Sequence, residues 1–111
     1  MSNTYNIEKS IIASLLNFEY EISIDTSLFN NLFHRKLING YNRLKKLGEA
    51  LDFEVLRFKF SEANKWSFKE DEMLNDIMAN TTPFGHRSTF DNYMQILKSA
   101  YKNSSDKRYS F

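Results

Sequence analysis

Residues 27–48, SLFNNLFHRKLINGYNRLKKLG, carry the clearest pattern in the chain. The apolar residues of this stretch follow one another at steps of four, four, four and three: Phe29, Phe33, Leu37, Tyr41 and Leu44. Because an α-helix turns once every 3.6 residues, these steps place the five side chains on one face. Gly48 can adopt the left-handed conformation that often ends a helix. The pattern predicts an amphipathic helix from Ser27 to Leu47.

The same helical spacing occurs on both sides of this stretch. An N-terminal helix is predicted from Asn6, a candidate N-cap, over the apolar positions Ile7, Ile11, Leu15 and Phe18. Residues 19–25 alternate apolar and polar side chains, which we interpret as an extended connection that packs on helices, since the chain offers no convincing second strand. Asp52 can cap a shorter helix that carries Leu56 and Phe60, and a polar connector is expected over residues 61–66.

Two further helices are predicted in the C-terminal half. Ser67 and Glu70 have the spacing of a capping box, which opens a helix with Met73, Leu74, Ile77 and Met78. Pro83 lies in a turn cluster that should end this helix. A last helix should begin at Ser88, with the apolar positions Phe90, Tyr93, Met94, Leu97 and Tyr101. The sequence therefore predicts an all-α fold, a compact multi-helix bundle of about five to six helices, with one domain over residues 1–102 and a tail or linker over residues 103–111.

Composition excludes several classes of function. The 111 residues include 15 Lys and Arg against 14 Asp and Glu, and no cysteine. A net charge of +1 is a poor match for a protein that grips phosphate backbones, so DNA should bind weakly if at all. Without cysteine, and with His34 and His86 far apart in sequence, we expect no metal site. Because no signal peptide or apolar run of about 18 residues occurs, we expect no membrane contact and a cytoplasmic location.

No motif points to catalysis. Gly40, Gly48 and Gly85 are isolated, so a phosphate-binding loop is not encoded, and we expect no cofactor and no catalytic residues. His34 and Arg35 are adjacent on a predicted helix and would point about 100° apart. We interpret His34 as a boundary or surface residue, and expect a contact role rather than catalysis for His86.

Charged and aromatic residues are candidates for contacts with partners. Lys36, Arg43 and Lys46 could form a modest basic strip, although a solvated helix face is the simpler interpretation. Aromatic side chains in connectors either fold back onto the core or meet a partner. The candidate partner-binding residues are Trp66, Phe84, Arg87 and Tyr101.

The order of these segments resembles the N-terminal domain of DnaB-type replicative helicases. The first helix begins with an acid followed by an apolar run, IEKSIIASLL over residues 7–16. An acidic-polar turn then leads to a phenylalanine, a His-Arg pair, an apolar pair, and a leucine before a glycine and an Asp-started helix: Asp25 to Phe29, His34-Arg35, Leu37-Ile38, Leu44, Gly48 and Asp52. Residues 73–80, Pro83 and Tyr93 are similar to a later helix of that family, the proline-containing turn after it, and a following helix with an early tyrosine.

The resemblance implies a non-catalytic domain that acts in DNA replication. In such helicases this domain forms the collar of a hexameric ring, pairs with other helicase subunits, and offers a docking surface to primase or a helicase loader. We expect the motor and the pairing hairpin to lie beyond Phe111, which would leave this chain a monomer or a monomer–dimer mixture with weak primase binding at most. The alternatives are a small stand-alone relative of the helicase-binding domain of primase, or a DNA-binding protein.

Overall fold

The computed structural model describes residues 4–17, 24–84 and 86–109, with side chains up to residue 102. Five α-helices account for most of these residues: α1 (Tyr5–Asn17), α2 (Leu32–Leu47), α3 (Phe53–Glu62), α4 (Phe68–Asn80) and α5 (Arg87–Tyr109). A short 3-10 turn, Thr26–Leu28, precedes α2, and no strand occurs in the described ranges. The prediction of an all-α bundle of five to six helices is confirmed.

Helix α1 is the centre of the bundle. It contacts α2, α4 and α5, and every side chain from Ile11 to Leu16 is buried. Small buried residues of α1 let neighbouring segments approach closely. Ser14 shows this, since its hydroxyl donates to the carbonyl of Ser10 and accepts the backbone N–H of Phe84, each at 2.8 Å. The predicted cap at Asn6 was wrong, because α1 begins one residue earlier, at Tyr5.

Helix α2 confirms the predicted core face but not the predicted start. Phe29, Phe33, Leu37, Tyr41 and Leu44 are all buried. The helix starts at Leu32, because the Asn31 side chain accepts the N–H of His34 and caps it there. Phe29 precedes this cap in extended backbone and still reaches the core. The four-residue step to Phe33 thus wrongly predicted that Phe29 lies on the helix, whereas it lies in the connection before α2. At the other end, Gly48 adopts a φ of 71°, as expected of a left-handed C-cap.

Helices α3 and α4 begin at the predicted caps. The Asp52 side chain accepts the N–H of Val55, and Ser67 with Glu70 forms a complete capping box. Helix α3 extends to Glu62, so the connector is shorter than predicted. Gly40 of α2 allows α3 to pack closely, since a Cβ atom there would lie 2.5 Å from Leu56 Cδ1.

The connection over residues 19–25 and the segment after residue 102 are parts of the chain where no helical period was predicted. The described end of the 19–25 connection packs as expected: Ile24 is buried, and the Asn42 amide bonds both its N–H (3.1 Å) and its carbonyl (2.7 Å). Residues 18–23 lie outside the described residues. Helix α5 begins at Arg87 and continues to Tyr109, past the tail boundary predicted at residue 103. Residues 103–109 contain no proline or glycine that would end the helix. The prediction of a tail relied on the absence of an apolar period, which does not by itself end a helix.

Candidate functional surfaces

A buried polar centre joins α1 to the segment that leads into α2. The Glu8 carboxylate is fully buried and accepts four hydrogen bonds, two on each oxygen. Oε2 accepts the Thr4 hydroxyl (2.5 Å) and the Asn30 N–H (3.1 Å), while Oε1 accepts the Asn31 N–H (3.3 Å) and His34 Nδ1 (2.8 Å). This centre fastens the start of α1 to the turn before α2.

These bonds set the protonation of the centre. Burial by itself raises the pKa of Glu8, but hydrogen bonds from His34, Thr4, Asn30 and Asn31 outweigh it and lower the pKa below its ordinary value. An ionised carboxylate can only accept, so His34 Nδ1 carries the shared hydrogen. His34 Nε2 has no hydrogen-bond partner among the described residues, and the ring packs 5.0 Å from that of Tyr5.

The interpretation of His34 as a boundary or surface residue was wrong, since only 1% of it is exposed. A signal was present in the sequence. Glu8 and His34 each start an apolar stripe at the spacing i, i+3, i+4 and i+7: Ile11, Ile12 and Leu15 for the first, and Leu37, Ile38 and Tyr41 for the second. Two polar residues on core faces need each other, because buried polar groups are hydrogen-bonded. Their role here is to hold the fold.

Trp66, one of the candidate partner-binding residues, folds back onto the bundle. Its indole stacks on Phe60 with centroids 5.4 Å apart and also meets Phe33 at 5.8 Å. Trp66 Nε1 donates to Asp71 Oδ1 at 2.9 Å. Lys36 Nζ lies 5.5 Å from the centre of the indole ring and 2.6 Å from Glu70 Oε2. Trp66 is thus half-buried and held on several sides.

Phe84 is also inside rather than at the surface. Only 8% of it is exposed, and its ring meets that of Tyr93 edge-on with centroids 4.4 Å apart. Of the candidate partner-binding residues, Phe84 therefore offers little exposed surface to another protein. A proline turn that brings an aromatic residue back to the helices gives the loop its own anchor, so the ring is not left for a partner.

Arg87 and Tyr101 are exposed on α5. Arg87 pairs with Asp91 at 3.0 Å, one turn along the helix, and about half of the Tyr101 side chain is exposed. The two residues are fourteen positions apart, which is about 21 Å along a helix. Both residues are therefore exposed on α5, but the structure does not gather them at one point.

The predicted basic strip is interrupted. Lys36 bonds Glu70 and the Lys65 carbonyl, and its ammonium lies over the ring of Phe60 at 5.0 Å. Arg43 and Lys46 remain exposed on α2. Of the three basic residues, one is therefore committed to contacts within the protein.

A surface that the sequence did not indicate lies between α2 and α3. This α2–α3 groove has a volume of about 290 Å³ and an apolar floor with basic residues at its edges: Gly40, Arg43, Leu44, Leu47, Leu56, Lys59, Phe60, Ala63 and Lys65. Leu47 stands at its end with 62% of its surface exposed. No pattern within one helix predicts the groove, because two packed helices form it. The sequence offers only one hint of an exposed apolar surface, since Leu47 lies outside the predicted core face of α2.

The described part of the chain contains no cluster of three or more His, Asp or Glu residues that could hold a metal ion. None of the helices within the described ranges is sufficiently long and apolar to cross a bilayer. No protein-family model, curated protein or solved structure matches the chain at a significant level.

Proposed function

We propose that this chain is a non-catalytic protein-interaction and oligomerisation domain, of the kind that forms the collar of a replicative DNA helicase and acts in DNA replication. Its partners would be other helicase subunits and primase or a helicase loader. The observation that carries the proposal is the α2–α3 groove, where Leu47, Phe60 and Ala63 leave apolar surface exposed. Contiguous exposed apolar surface on a small domain is typical of a site for another protein.

The arrangement of polar groups favours this proposal over catalysis. The most enclosed acid, Glu8, has both oxygens occupied by donors of the protein itself. A general acid or base must reach a proton of its substrate, and a carboxylate enclosed by four donors has no access to one. The exposed surface of the described helices offers apolar side chains instead, with Leu32, Phe58 and Phe68 more than 60% exposed.

Association with a second copy or with primase tests the proposal directly. We expect light scattering coupled to size exclusion to show a monomer, or a monomer–dimer mixture that shifts with concentration, at micromolar protein. Interfaces well below about 1,000 Å² give weak and concentration-dependent association. Because we expect primase binding to be weak at most, the C-terminal domain of a bacterial primase should shift surface resonances in a ¹H–¹⁵N correlation spectrum only slightly and only at millimolar concentration. The absence of both self-association and such shifts at millimolar partner would contradict the proposal. A stable hexamer formed by this chain alone would contradict the expectation of a monomer or a monomer–dimer mixture.

DNA binding separates this proposal from the alternative of a DNA-binding protein. We expect no affinity tighter than about 10⁻⁵ M for single or double strands at physiological salt, because only part of the basic strip is available to phosphates. Fluorescence anisotropy of labelled oligonucleotides measures this. A submicromolar affinity that falls steeply between about 50 and 200 mM salt would instead establish phosphate-driven binding. Arg43→Ala and Lys46→Ala would then identify the residues responsible.

A further inference from the structure

The edges of the α2–α3 groove are basic on both sides. Arg43 stands on the α2 side, Lys59 on the α3 side, and Lys65 follows α3. Lys59 Nζ has a weak ion pair with Glu49 at 3.3 Å, and Arg43 and Lys65 have no side-chain ion pair among the described residues. An apolar floor between cations of which two are unpaired within the described ranges attracts a partner whose apolar surface is bordered by acids.

The groove runs along one face of each of two helices. Its α2 wall is Gly40, Arg43, Leu44 and Leu47, and its α3 wall is Leu56, Lys59, Phe60 and Ala63. Each wall has the spacing i, i+3, i+4 and i+7, which is one face of an α-helix. Seven residues of helix cover about 10 Å, so the groove matches about two turns of a third helix laid against the first two. An amphipathic helix in an apolar groove is a recurrent mode of peptide recognition.

The same groove is poorly suited to a nucleic acid. Bases bind proteins by stacking on exposed aromatic faces or by hydrogen bonds to their edges. The aromatic residue of the groove, Phe60, already stacks on Trp66 and has the Lys36 ammonium 5.0 Å from its ring centre. The floor residues Leu44 and Leu56 offer no polar side-chain atoms. Charge and floor together favour an acidic apolar partner over a polyanion.

We propose that the α2–α3 groove binds an amphipathic α-helix of a partner protein, in which a leucine-like apolar stripe is flanked by Asp and Glu. The stripe packs on the exposed apolar surface of Leu47, Phe60 and Ala63, which lies above the buried Leu44 and Leu56. The acids pair with Arg43, Lys59 and Lys65. This inference rests on the proposed function, since it names the surface and the partner chemistry of the interaction domain.

A designed peptide tests the groove without knowledge of the natural partner. The probe is a capped, helix-stabilised 18-residue peptide with leucines spaced i, i+4, i+7 and i+11 and glutamates beside them. Its control has lysine in place of every glutamate. We expect the acidic peptide to bind at least about tenfold more tightly than the basic one. On the wild-type protein, the largest ¹H–¹⁵N shifts should fall on residues 40–47 and 56–65, a measurement that needs no variant.

Matched substitutions locate the binding. Arg43→Glu, Lys65→Glu and Leu47→Ser should each weaken the acidic peptide at least about tenfold. Lys102→Glu on α5 and Leu32→Ser are the controls and should leave its affinity within about twofold. Leu32 is 78% exposed on α2 and lies fifteen residues, about 22 Å, from Leu47. All five positions are exposed, so circular dichroism should show the fold intact in each variant.

Several results would overturn the inference: equal binding of the two peptides, shifts that lie outside the groove, or unchanged affinity in the three groove variants. Tighter binding of duplex DNA or of phosphatidylglycerol vesicles at the same residues would do so as well. Light scattering and the primase titration, repeated on the groove variants, distinguish the two proposals. If the groove variants still self-associate or bind primase but the acidic peptide does not bind the groove of the wild-type protein, only the groove inference is contradicted. If the peptide binds but self-association and primase binding are both absent, the proposed helicase function falls.

Discussion

Leu37→Ala is expected to lower the free energy of unfolding by about 2–5 kcal/mol, enough to remove much of the stability of a domain of this size. Leu37 has no exposed surface and lies in the middle of the buried face of α2, between Phe33 and Tyr41. Truncation removes buried methyl groups and leaves a cavity, because neighbouring side chains held in their rotamers can fill it only in part. Thermal and urea unfolding followed by circular dichroism measure the effect.

The same helix provides the matched control. Leu32 has the same side chain in the first turn of α2 but is 78% exposed, so Leu32→Ala should change stability by less than about 0.5 kcal/mol. A second buried variant, Phe33→Ala, should fall in the range of Leu37→Ala. If the melting temperatures of both buried variants lay within a degree or two of the wild type, this face of α2 would not be part of the core.

Glu8→Ala should destabilise the protein by about 3–5 kcal/mol, although alanine favours helices. The substitution removes the acceptor of four hydrogen bonds and leaves the buried His34 and the Asn30 and Asn31 N–H groups without it. A buried donor that loses its partner loses its hydration as well, so the cost exceeds that of one surface hydrogen bond. Equilibrium unfolding in urea at neutral pH gives the value. Glu72→Ala, an exposed acid on α4, is the control and should change stability by less than about 0.5 kcal/mol.

The dependence of stability on pH below neutrality should reveal the contribution of Glu8. The pKa of Glu8 is lower in the folded protein than in the unfolded chain, so the unfolded state binds its proton first as the pH falls. The stabilisation is therefore complete above the unfolded pKa, about 4.3, and is lost as the pH falls through the lower folded pKa. Glu8→Gln should flatten the loss of stability below about pH 5. Asp25, Glu70 and Asp76 also have lowered pKa values, so part of the slope should remain. An unchanged slope in the variant would show that Glu8 has no such linkage.

Local signals predicted the helices because the interactions that start and end a helix span at most four residues. Asp52 caps α3, Ser67 and Glu70 form a capping box for α4, and Gly48 ends α2, each where the sequence places it. The start of α2 shows the limit of such signals. Asn31 and Asp25 are both good caps, and the apolar period alone did not distinguish a helix face from an extended residue that also reaches the core.

The exposure of the candidate contact residues was harder to predict, because it depends on which side chains from other helices pack against them. An aromatic residue in a connector has the same local sequence whether it packs inward or meets a partner. Trp66 and Phe84 pack inward because Phe60 and Tyr93 lie within reach of their rings. Arg87 and Tyr101 remain exposed on α5, and their role in binding a partner stays a prediction.

By itself the sequence determined the helical class, the core face of α2 and three of the helix ends, since each depends on periodicity or on a cap within a few residues. Tertiary structure decided which of these residues meet: Glu8 and His34, 26 residues apart, share a hydrogen bond in the interior, and α2 and α3 enclose an apolar groove with basic edges. The physical reason is that burial of a charge and the shape of a groove are properties of two packed elements. Neither property exists in one helix until the other packs against it.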